Sequence, residues 1–241
     1  MKVVLEYDGS GFAGWQQQAH GRTVEAELKR ALREVTGVDH KIYAAGRTDA
    51  GAHAEGQVVS FETDGRIAPQ RLVAALNARL PKDVAVLSAE AVEDGFHARY
   101  SARWRRYRYR YLDRRARPAL ERGRCWHIGG PLDVAAMSAA SKALEGRHDW
   151  TSYCSASEPA AGRVREMRSV KVERRGDFVE LELVAEGFLR GLARSIAGAL
   201  AEVGRGRKPP EWVGEMLDAR DRRQAPRTAP AGGLTLVEVI Y

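Results

Sequence analysis

The sequence predicts an α+β protein made of two similar halves, each a sheet with helices on one face. Two observations indicate this: strand-like and helix-like segments alternate along the 241 residues, and the pattern of the first half recurs in the second. We expect two domains, 1–114 and 115–241. With 44% hydrophobic and 29% charged residues, the composition excludes a disordered chain, a collagen and a coiled coil.

Local patterns define the elements of the first half. Alternation of apolar and polar residues predicts strands at 2–7, 56–63, 83–92 and 103–112. Residues 23–36 predict a helix that Thr23 caps and Gly37 ends. A second helix begins at Pro69, which suits the first helical turn, and extends to about Leu80.

The second half follows a loop at 113–124 that is rich in Arg and Pro. Its sequence predicts helices at 133–144, 188–203 and 211–219 and strands at 165–174, 177–186 and 234–240. Gly176 and Asp177 predict the turn between the first two of these strands.

Charge is concentrated in one segment. The chain carries a net charge of +7, whereas residues 99–124 alone contain eleven Arg against two acids, Asp113 and Glu121. Such a local positive field is typical of a site for a polyanion. No stretch is long and apolar enough for a membrane helix, and Glu6 and Asp8 interrupt the start of the chain, so we expect a soluble, cytoplasmic protein.

The strand at 103–112 separates two kinds of side chain. Because successive residues of a strand point to opposite faces, one face carries tyrosines and the other arginines, namely Tyr107, Tyr109 and Tyr111 against Arg106, Arg108 and Arg110. Rings that stack on bases and guanidinium groups that bind phosphates suit RNA. The alternative is a buried tyrosine row behind a solvated arginine row.

A glycine-rich and alanine-rich segment at 44–61 contains Arg47 and Asp49. A backbone with so few large side chains can approach a ligand closely. An aspartate next to an arginine stays ionised and can act as a nucleophile or a base. The alternative is an Asx turn between two strands. The chain lacks a phosphate-loop pattern, and its six histidines are scattered, so neither a nucleotide cofactor nor a zinc site is indicated.

The predicted helix at 188–203 has a core stripe and an opposite side. The stripe consists of Phe188, Leu192, Ile196, Leu200 and Val203. Arg190 and Arg194 lie opposite, and Gly191 and Gly198 would leave space beside Arg194 for another surface. Without a facing acid or RNA, an arginine in this position is simply exposed to solvent.

Six blocks of the sequence resemble, in the same order, the bacterial tRNA pseudouridine synthase A (TruA) family. They are YDGSGFAGWQQQ (7–18), AGRTDAGAHAEGQVVSF (45–61), FHARYSARWRRYRYRYL (96–112), HDWTSYCSA (148–156), GFLRGLARSIAGALAEVGRGR (187–207) and APAGGLTLVEVIY (229–241). The resemblance implies an isomerase that converts uridine to pseudouridine at positions 38, 39 and 40 in the anticodon stem-loop of tRNA. It implies no cofactor and no metal, a homodimer, and a continuous central sheet flanked by helices with a basic cleft between the halves.

The resemblance also implies roles for individual residues. Asp49 would be the nucleophile, Arg47 would help to evert the target nucleotide, Tyr107 would stack on the uracil, and Arg194 would pair with the catalytic carboxylate. The first domain would then carry the catalytic loop and the second would complete the cleft. Further RNA contacts would come from Phe96, His97, Ala98, Arg99, Tyr100, Arg106, Arg108, Arg110, Arg163 and Arg165.

Some choices stay open at this point. Asp49 could attack the sugar, attack the base or abstract a sugar proton. Arg190, Gly191, Leu192 and Ser195 depart from the family pattern, and most of segment 157–168 diverges. Two other classes of protein remain as alternatives: a tRNA-binding module without activity, and an unrelated sugar or phosphate enzyme that uses Asp49 with Asp8.

Overall fold

The structure of the protein, a computed structural model, describes residues 1–64, 67–225 and 227–241. Its strands are β1 (Lys2–Tyr7), β2 (Tyr43–Ala44), β3 (His53–Ser60), β4 (Val84–Glu90), β5 (Trp104–Leu112), β6 (Trp126–His127), β7 (Gly146–Asp149), β8 (Val164–Arg175), β9 (Phe178–Ala185) and β10 (Leu234–Ile240). Its helices are α1 (Val24–Thr36), α2 (Pro69–Asn77), α3 (Val134–Ser141), α4 (Leu192–Gly204) and α5 (Trp212–Ala219).

These elements form two compact units. The first consists of Met1–Arg103 with Thr235–Tyr241, and the second of Trp104–Leu234. The predicted boundaries at 1–114 and 115–241 differ from this division in two places. Strand β5 belongs to the second unit because it pairs along its length with β9. The C-terminal residues belong to the first unit because β10 pairs with β3.

The first unit is a mixed sheet with two helices. Its strand order is β4-β1-β3-β10, and β2 pairs with β3. Strand β1 runs antiparallel to β3 and β4, whereas β10 runs parallel to β3. Helix α1 has the predicted ends: the Thr23 hydroxyl accepts the Ala26 N–H, and the chain leaves the helix at Gly37. Its buried face, which includes Leu28 and Leu32, belongs to the core.

The second unit is a largely antiparallel sheet with three helices. Strands β5, β9, β8 and β7 lie side by side, and the short β6 runs parallel to β5. The turn predicted at Gly176 and Asp177 joins β8 to β9. The α+β class, with mixed sheets flanked by helices, is thereby confirmed. None of the helices in the three described ranges is long and apolar enough to cross a membrane.

Helix α4 differs from its prediction at its beginning. Gly191 has φ 77°, a left-handed conformation that an α-helix cannot contain, so α4 begins at Leu192 and not at residue 188. Phe188 and Arg190 therefore precede the helix, and their predicted places on its two sides are wrong. Every residue of α4 except Arg194 and Glu202 is buried, so the helix lies inside the unit and has no open side.

Strand β3 is displaced from its prediction and several short elements were not predicted. It covers residues 53–60, three residues before the predicted 56–63. The alternation continues into residues 61–63, but the pairing with β1 ends at Ser60 opposite Lys2. Strands β2, β6 and β7 have two to four residues each, too few for a periodic pattern to show.

Gly198 in α4 tests the packing of this buried helix. A Cβ atom at this position would overlap the carbonyl oxygen of Arg227, so Gly198→Ala should lower the free energy of unfolding by about 1–3 kcal/mol. Gly214→Ala in α5 is the matched control. Its Cβ would lie 3.4 Å from the Ala143 Cβ, an ordinary contact, and alanine favours the helix by about 1 kcal/mol. Urea unfolding of both variants measures the difference, and equal stabilities would contradict the packing described for α4.

Candidate functional site

The loop that carries Asp49 joins β2 to β3 and is held by the segment before α1. We call residues 45–52 the Asp49 loop. The Trp15 N–H donates to the Thr48 carbonyl oxygen at 3.1 Å, and the Gly51 N–H donates to the Phe12 carbonyl oxygen at 3.3 Å. These two backbone bonds lie on either side of Asp49 in the sequence. They fix the main chain at the position from which its carboxylate projects.

Gly14 allows this close approach. Its φ of 99° is a conformation that residues with a Cβ rarely adopt. A Cβ there would lie 2.9 Å from the Thr48 carbonyl oxygen and 3.3 Å from the Asp49 carbonyl carbon. The backbone of the Asp49 loop therefore occupies the space that a side chain at residue 14 would need.

A buried network of polar side chains forms hydrogen bonds to the Asp49 loop. The Tyr7 and Thr48 hydroxyls are hydrogen-bonded at 2.8 Å, and the Gln57 amide donates to the Gly46 carbonyl oxygen at 2.8 Å and to the Tyr7 hydroxyl at 3.4 Å. Burial raises the pKa of Tyr7 to about 12, so its hydroxyl stays neutral and can both donate and accept. Asp49 itself is half-buried and Arg47 is exposed. The loop thus presents the Asp49 carboxylate and the Arg47 guanidinium on a main chain that hydrogen bonds hold in place.

Sequence reasoning missed the supporting residues Tyr7, Thr48 and Gln57. Gln57 carried a usable signal, because it lies next to two valines in the predicted strand run GQVVS, and an amide that is buried there needs hydrogen-bond partners. Asp8 lies in the turn that follows β1. Its carboxylate accepts the Ser10 N–H at 3.0 Å and lies 3.3 Å from His53 Nδ1, which indicates a role in the turn after β1.

The tyrosine face of β5 lies in the core of the second unit. Tyr109 donates to the Pro230 carbonyl oxygen at 2.8 Å, and Tyr111 donates to the Ala197 carbonyl oxygen at 2.9 Å. Burial raises the pKa of both hydroxyls, so they remain neutral donors. For these two residues the interpretation as buried packing is correct. Tyr107, only 4% exposed, packs edge-on against the ring of Phe188 at a centroid distance of 4.6 Å.

The arginine face of β5 is matched by glutamates of the neighbouring strand. Arg110 forms ion pairs with Glu121 at 2.8 Å and Glu180 at 3.5 Å, and its guanidinium lies 4.0 Å from the centroid of the Phe178 ring. Arg106 approaches Glu182 at 3.9 Å. This face is therefore a network of alternating charges, which neither of the two interpretations of the strand anticipated. Much of the positive charge counted there is offset locally.

Arg194 is fixed in place by the chain that follows α5. Its Nε donates to the Ala229 carbonyl oxygen at 2.7 Å, and its own carbonyl oxygen accepts the Ala229 N–H at 3.0 Å. Gly198 leaves space for another surface, as predicted, and the Arg227 carbonyl oxygen occupies that space. Arg194 is half-buried and preorganised, not a solvent-exposed side chain.

The remaining predicted RNA contacts differ in their surroundings. Arg163 donates to the Glu158 carbonyl oxygen at 2.8 Å and so holds its own loop together. Arg165 donates to the Val164 carbonyl oxygen at 2.6 Å. Ala98 is fully buried, which gives its side chain a structural role. Phe96 is half-buried against Tyr241. His97, Arg99 and Tyr100 lie together at the surface of the first unit.

A family model described as tRNA pseudouridine synthase matches residues 3–101 and 140–241. The chain belongs to the tRNA pseudouridine synthase family. As a member, the protein is an isomerase that acts on uridine in tRNA, and the predicted resemblance is confirmed. The matched ranges contain Asp49 and Arg194, whereas Tyr107 lies between them. Among the described residues no group of three or more metal-ligating side chains occurs.

Individual relatives match nearly the whole chain. The tRNA pseudouridine synthase A of Moorella thermoacetica is 45% identical, over 100% of this chain and 99% of the relative. That of Thermoanaerobacter sp. is 39% identical over 99% and 98%, and that of Myxococcus xanthus is 42% identical over 100% and 91%. A solved chain of a Cbf5-Nop10-Gar1 complex matches 83% of this chain and 54% of its own length, with 11% identity and a TM-score of 0.35, too remote to add to the family assignment.

Gly14 provides a test of the rigid Asp49 loop. Gly14→Ala should displace the loop backbone and slow the single-turnover conversion of uridine by about a hundredfold, since small misplacements of reacting groups carry such penalties. Gly37→Ala is the matched control, because Gly37 also has a positive φ, 74°, but nothing lies within 4 Å of its Cβ position. The control should lose about 1 kcal/mol of stability and keep its turnover. A wild-type rate for Gly14→Ala would show that the loop position does not matter.

Proposed function

We propose that the protein isomerises uridine to pseudouridine at positions 38, 39 and 40 in the anticodon stem-loop of tRNA. The observation that carries this proposal is the Asp49 loop, which presents a half-buried carboxylate on a backbone fixed by Trp15 and Phe12. The chain that contains it matches tRNA pseudouridine synthases A over nearly its whole length. A homodimer that acts in the cytoplasm is part of the same proposal and rests on the family resemblance.

The reaction rearranges bonds within one nucleotide. The bond between the ribose C1′ and the uracil N1 breaks, the base turns, a new bond joins C1′ to C5, and the proton of C5 moves to N1. No atom is gained or lost, so the chemistry requires no co-reactant. The target base has to leave the helical stack before any group can reach C1′. A fixed carboxylate such as that of Asp49 can then attack the sugar, attack the base or abstract a sugar proton.

The other proposed roles rest on the family resemblance, and the surroundings of each residue within its own unit support them. Arg47, exposed beside Asp49, suits a cation that fills the space left by the everted nucleotide. Tyr107 would supply the flat ring that holds the freed uracil, and its packing against Phe188 orients that ring. Arg194 would pair with the catalytic carboxylate, and its bond to Ala229 fixes the direction of its guanidinium.

Asp49→Ala and Asp49→Asn should abolish pseudouridine formation while tRNA affinity changes less than about threefold. The reason is that the carboxylate takes part in the bond changes and contributes little to RNA binding. The assay incubates each variant with an unmodified tRNA transcript bearing uridine at position 39, without metal or nucleotide, and maps pseudouridine along the anticodon arm.

Asp39→Asn serves as the control, because Asp39 is an exposed aspartate of the same unit whose ion pair with Arg33 is loose at 3.7 Å. Measurable product from either Asp49 variant would refute the nucleophile role. Binding by the wild-type protein without product would favour the inactive tRNA-binding module, and absence of both tRNA binding and product would favour the unrelated sugar or phosphate enzyme.

The loop at 114–124 is the part of the basic segment best suited to bind phosphates. Arg115, Arg117 and Arg122 are exposed, and among the residues that the structure describes none of the carboxylates forms an ion pair with them. In contrast, Arg110 on β5 is surrounded by glutamates. We propose that the loop, more than the strand, contacts the tRNA backbone.

The double variant Arg115→Gln/Arg117→Gln should weaken tRNA binding and reduce the salt dependence of the affinity by about one unit of slope per lost phosphate contact. Arg175→Gln is the control, because Arg175 is also exposed but forms an ion pair with Glu180 at 3.3 Å. Titrations of affinity against salt concentration measure both slopes. An unchanged salt slope in the double variant would show that these arginines face solvent and do not contact the tRNA backbone.

A further inference from the structure

Three aromatic rings pack in a tilted row at the surface of the first unit, outside the Asp49 loop. Tyr43 of β2 lies 4.4 Å from His97, and His97 lies 4.5 Å from Tyr100, measured between ring centroids, with interplanar angles of 44° and 36°. These separations are typical of attractive ring pairs. We call Tyr43, His97 and Tyr100 the aromatic stack.

The outer end of the stack is open to solvent. Tyr100 is 77% exposed, whereas Tyr43 and His97 are half-buried. A single exposed aromatic side chain is common on proteins and needs no explanation. Here the exposed ring instead continues an ordered row, and solvent reaches the outermost ring of that row.

Backbone hydrogen bonds hold the stack in position. His97 Nδ1 accepts the N–H groups of Arg99 at 3.1 Å and Tyr100 at 3.3 Å, so the imidazole fixes the turn that carries both residues. The Ala98 N–H donates to the Ser60 hydroxyl at 3.0 Å, and the Tyr241 hydroxyl donates to the Ala98 carbonyl oxygen at 2.9 Å. The turn is thus attached to the sheet, and a ligand would find the rings already ordered.

A cation accompanies each end of the stack. Lys41 Nζ lies 5.2 Å from the Tyr43 centroid, and the Arg99 guanidinium lies 5.6 Å from the Tyr100 centroid. Both cations are exposed. Rings interleaved with cations at the surface match the chemistry of single-stranded nucleic acid, in which flat bases alternate with phosphates. Protein interfaces, in contrast, tend to be depleted of lysine.

We propose that the aromatic stack binds one unstacked base of the substrate tRNA, a base other than the uridine that is isomerised. The base would lie on Tyr100, and Lys41 and Arg99 would contact the adjoining phosphates. This inference rests on the proposed function, since it takes tRNA to be the substrate. Glu93 and Asp94 line a neighbouring cavity with Phe96 and Ser101, so the RNA backbone would run on Lys41 and Arg99 and not past these carboxylates.

Two substitutions at Tyr100 test the proposal. Tyr100→Ala should raise the Kd for an unmodified tRNA transcript about tenfold, whereas Tyr100→Phe, which keeps the ring, should stay within about twofold of the wild type. The salt slope of Tyr100→Ala should be unchanged because no phosphate contact is lost, and Arg99→Gln should lower it by about one unit. Leu87→Ala, an exposed apolar residue of the same unit, is the control and should bind like the wild type.

The outcomes separate this proposal from the proposed function. If the wild-type protein makes no pseudouridine, the proposed function fails. If the wild type makes pseudouridine and Tyr100→Ala binds tRNA as tightly as the wild type does, the base-binding role of the aromatic stack is refuted while the proposed function stands. Sedimentation of each variant tests whether Tyr100 instead contacts a second copy of the chain. If Tyr100→Ala changes the oligomeric state, and tRNA affinity falls only as far as the oligomer is lost, the RNA-binding role is refuted.

Discussion

The backbone bonds between the Asp49 loop and the segment before α1 are the constraint on which the site depends. A catalytic carboxylate loses its advantage when its main chain can move, because orientation supplies much of the rate. Here Trp15 and Phe12 hold the loop through backbone bonds to Thr48 and Gly51. The buried Tyr7 and Gln57 side chains add hydrogen bonds to the Thr48 hydroxyl and the Gly46 carbonyl oxygen. The absence of a side chain at Gly14 makes the contact between the two segments sterically feasible.

The sequence was sufficient to predict the elements whose signals are local. Helix α1 has both of its predicted ends because Thr23 and Gly37 act through hydrogen bonds and backbone angles of a few neighbouring residues. Strand β5 follows from strict alternation. The beginning of α4 was not predicted, because Leu189 and Leu192 continue an apolar pattern across Gly191, and only the observed φ shows that the chain turns there.

The chemistry was predicted less evenly than the fold. Asp49 could be selected because glycines and an arginine surround it in the sequence. The glutamates opposite the arginines of β5 could not be selected in this way. Glu180 and Glu182 lie some 70 residues later in the sequence, and only the register of β5 with β9 brings them opposite Arg110 and Arg108. The same limit applies to the aromatic stack, in which Tyr43 and His97 are 54 positions apart. Contacts between distant residues follow from pairing geometry, which local patterns do not contain.

The return of the C-terminal strand to the first unit has a consequence for how the chain folds during synthesis. Strand β10 pairs with β3, and the Tyr241 hydroxyl reaches the turn at Ala98, yet both partners leave the ribosome more than a hundred residues earlier. While the second unit is being synthesised, the part of β3 that later pairs with β10 therefore has no strand partner on that side. The sheet of the first unit is complete only once β10 has been made, so a chain truncated before β10 would leave His53 and Ala54 of β3 without their strand partner.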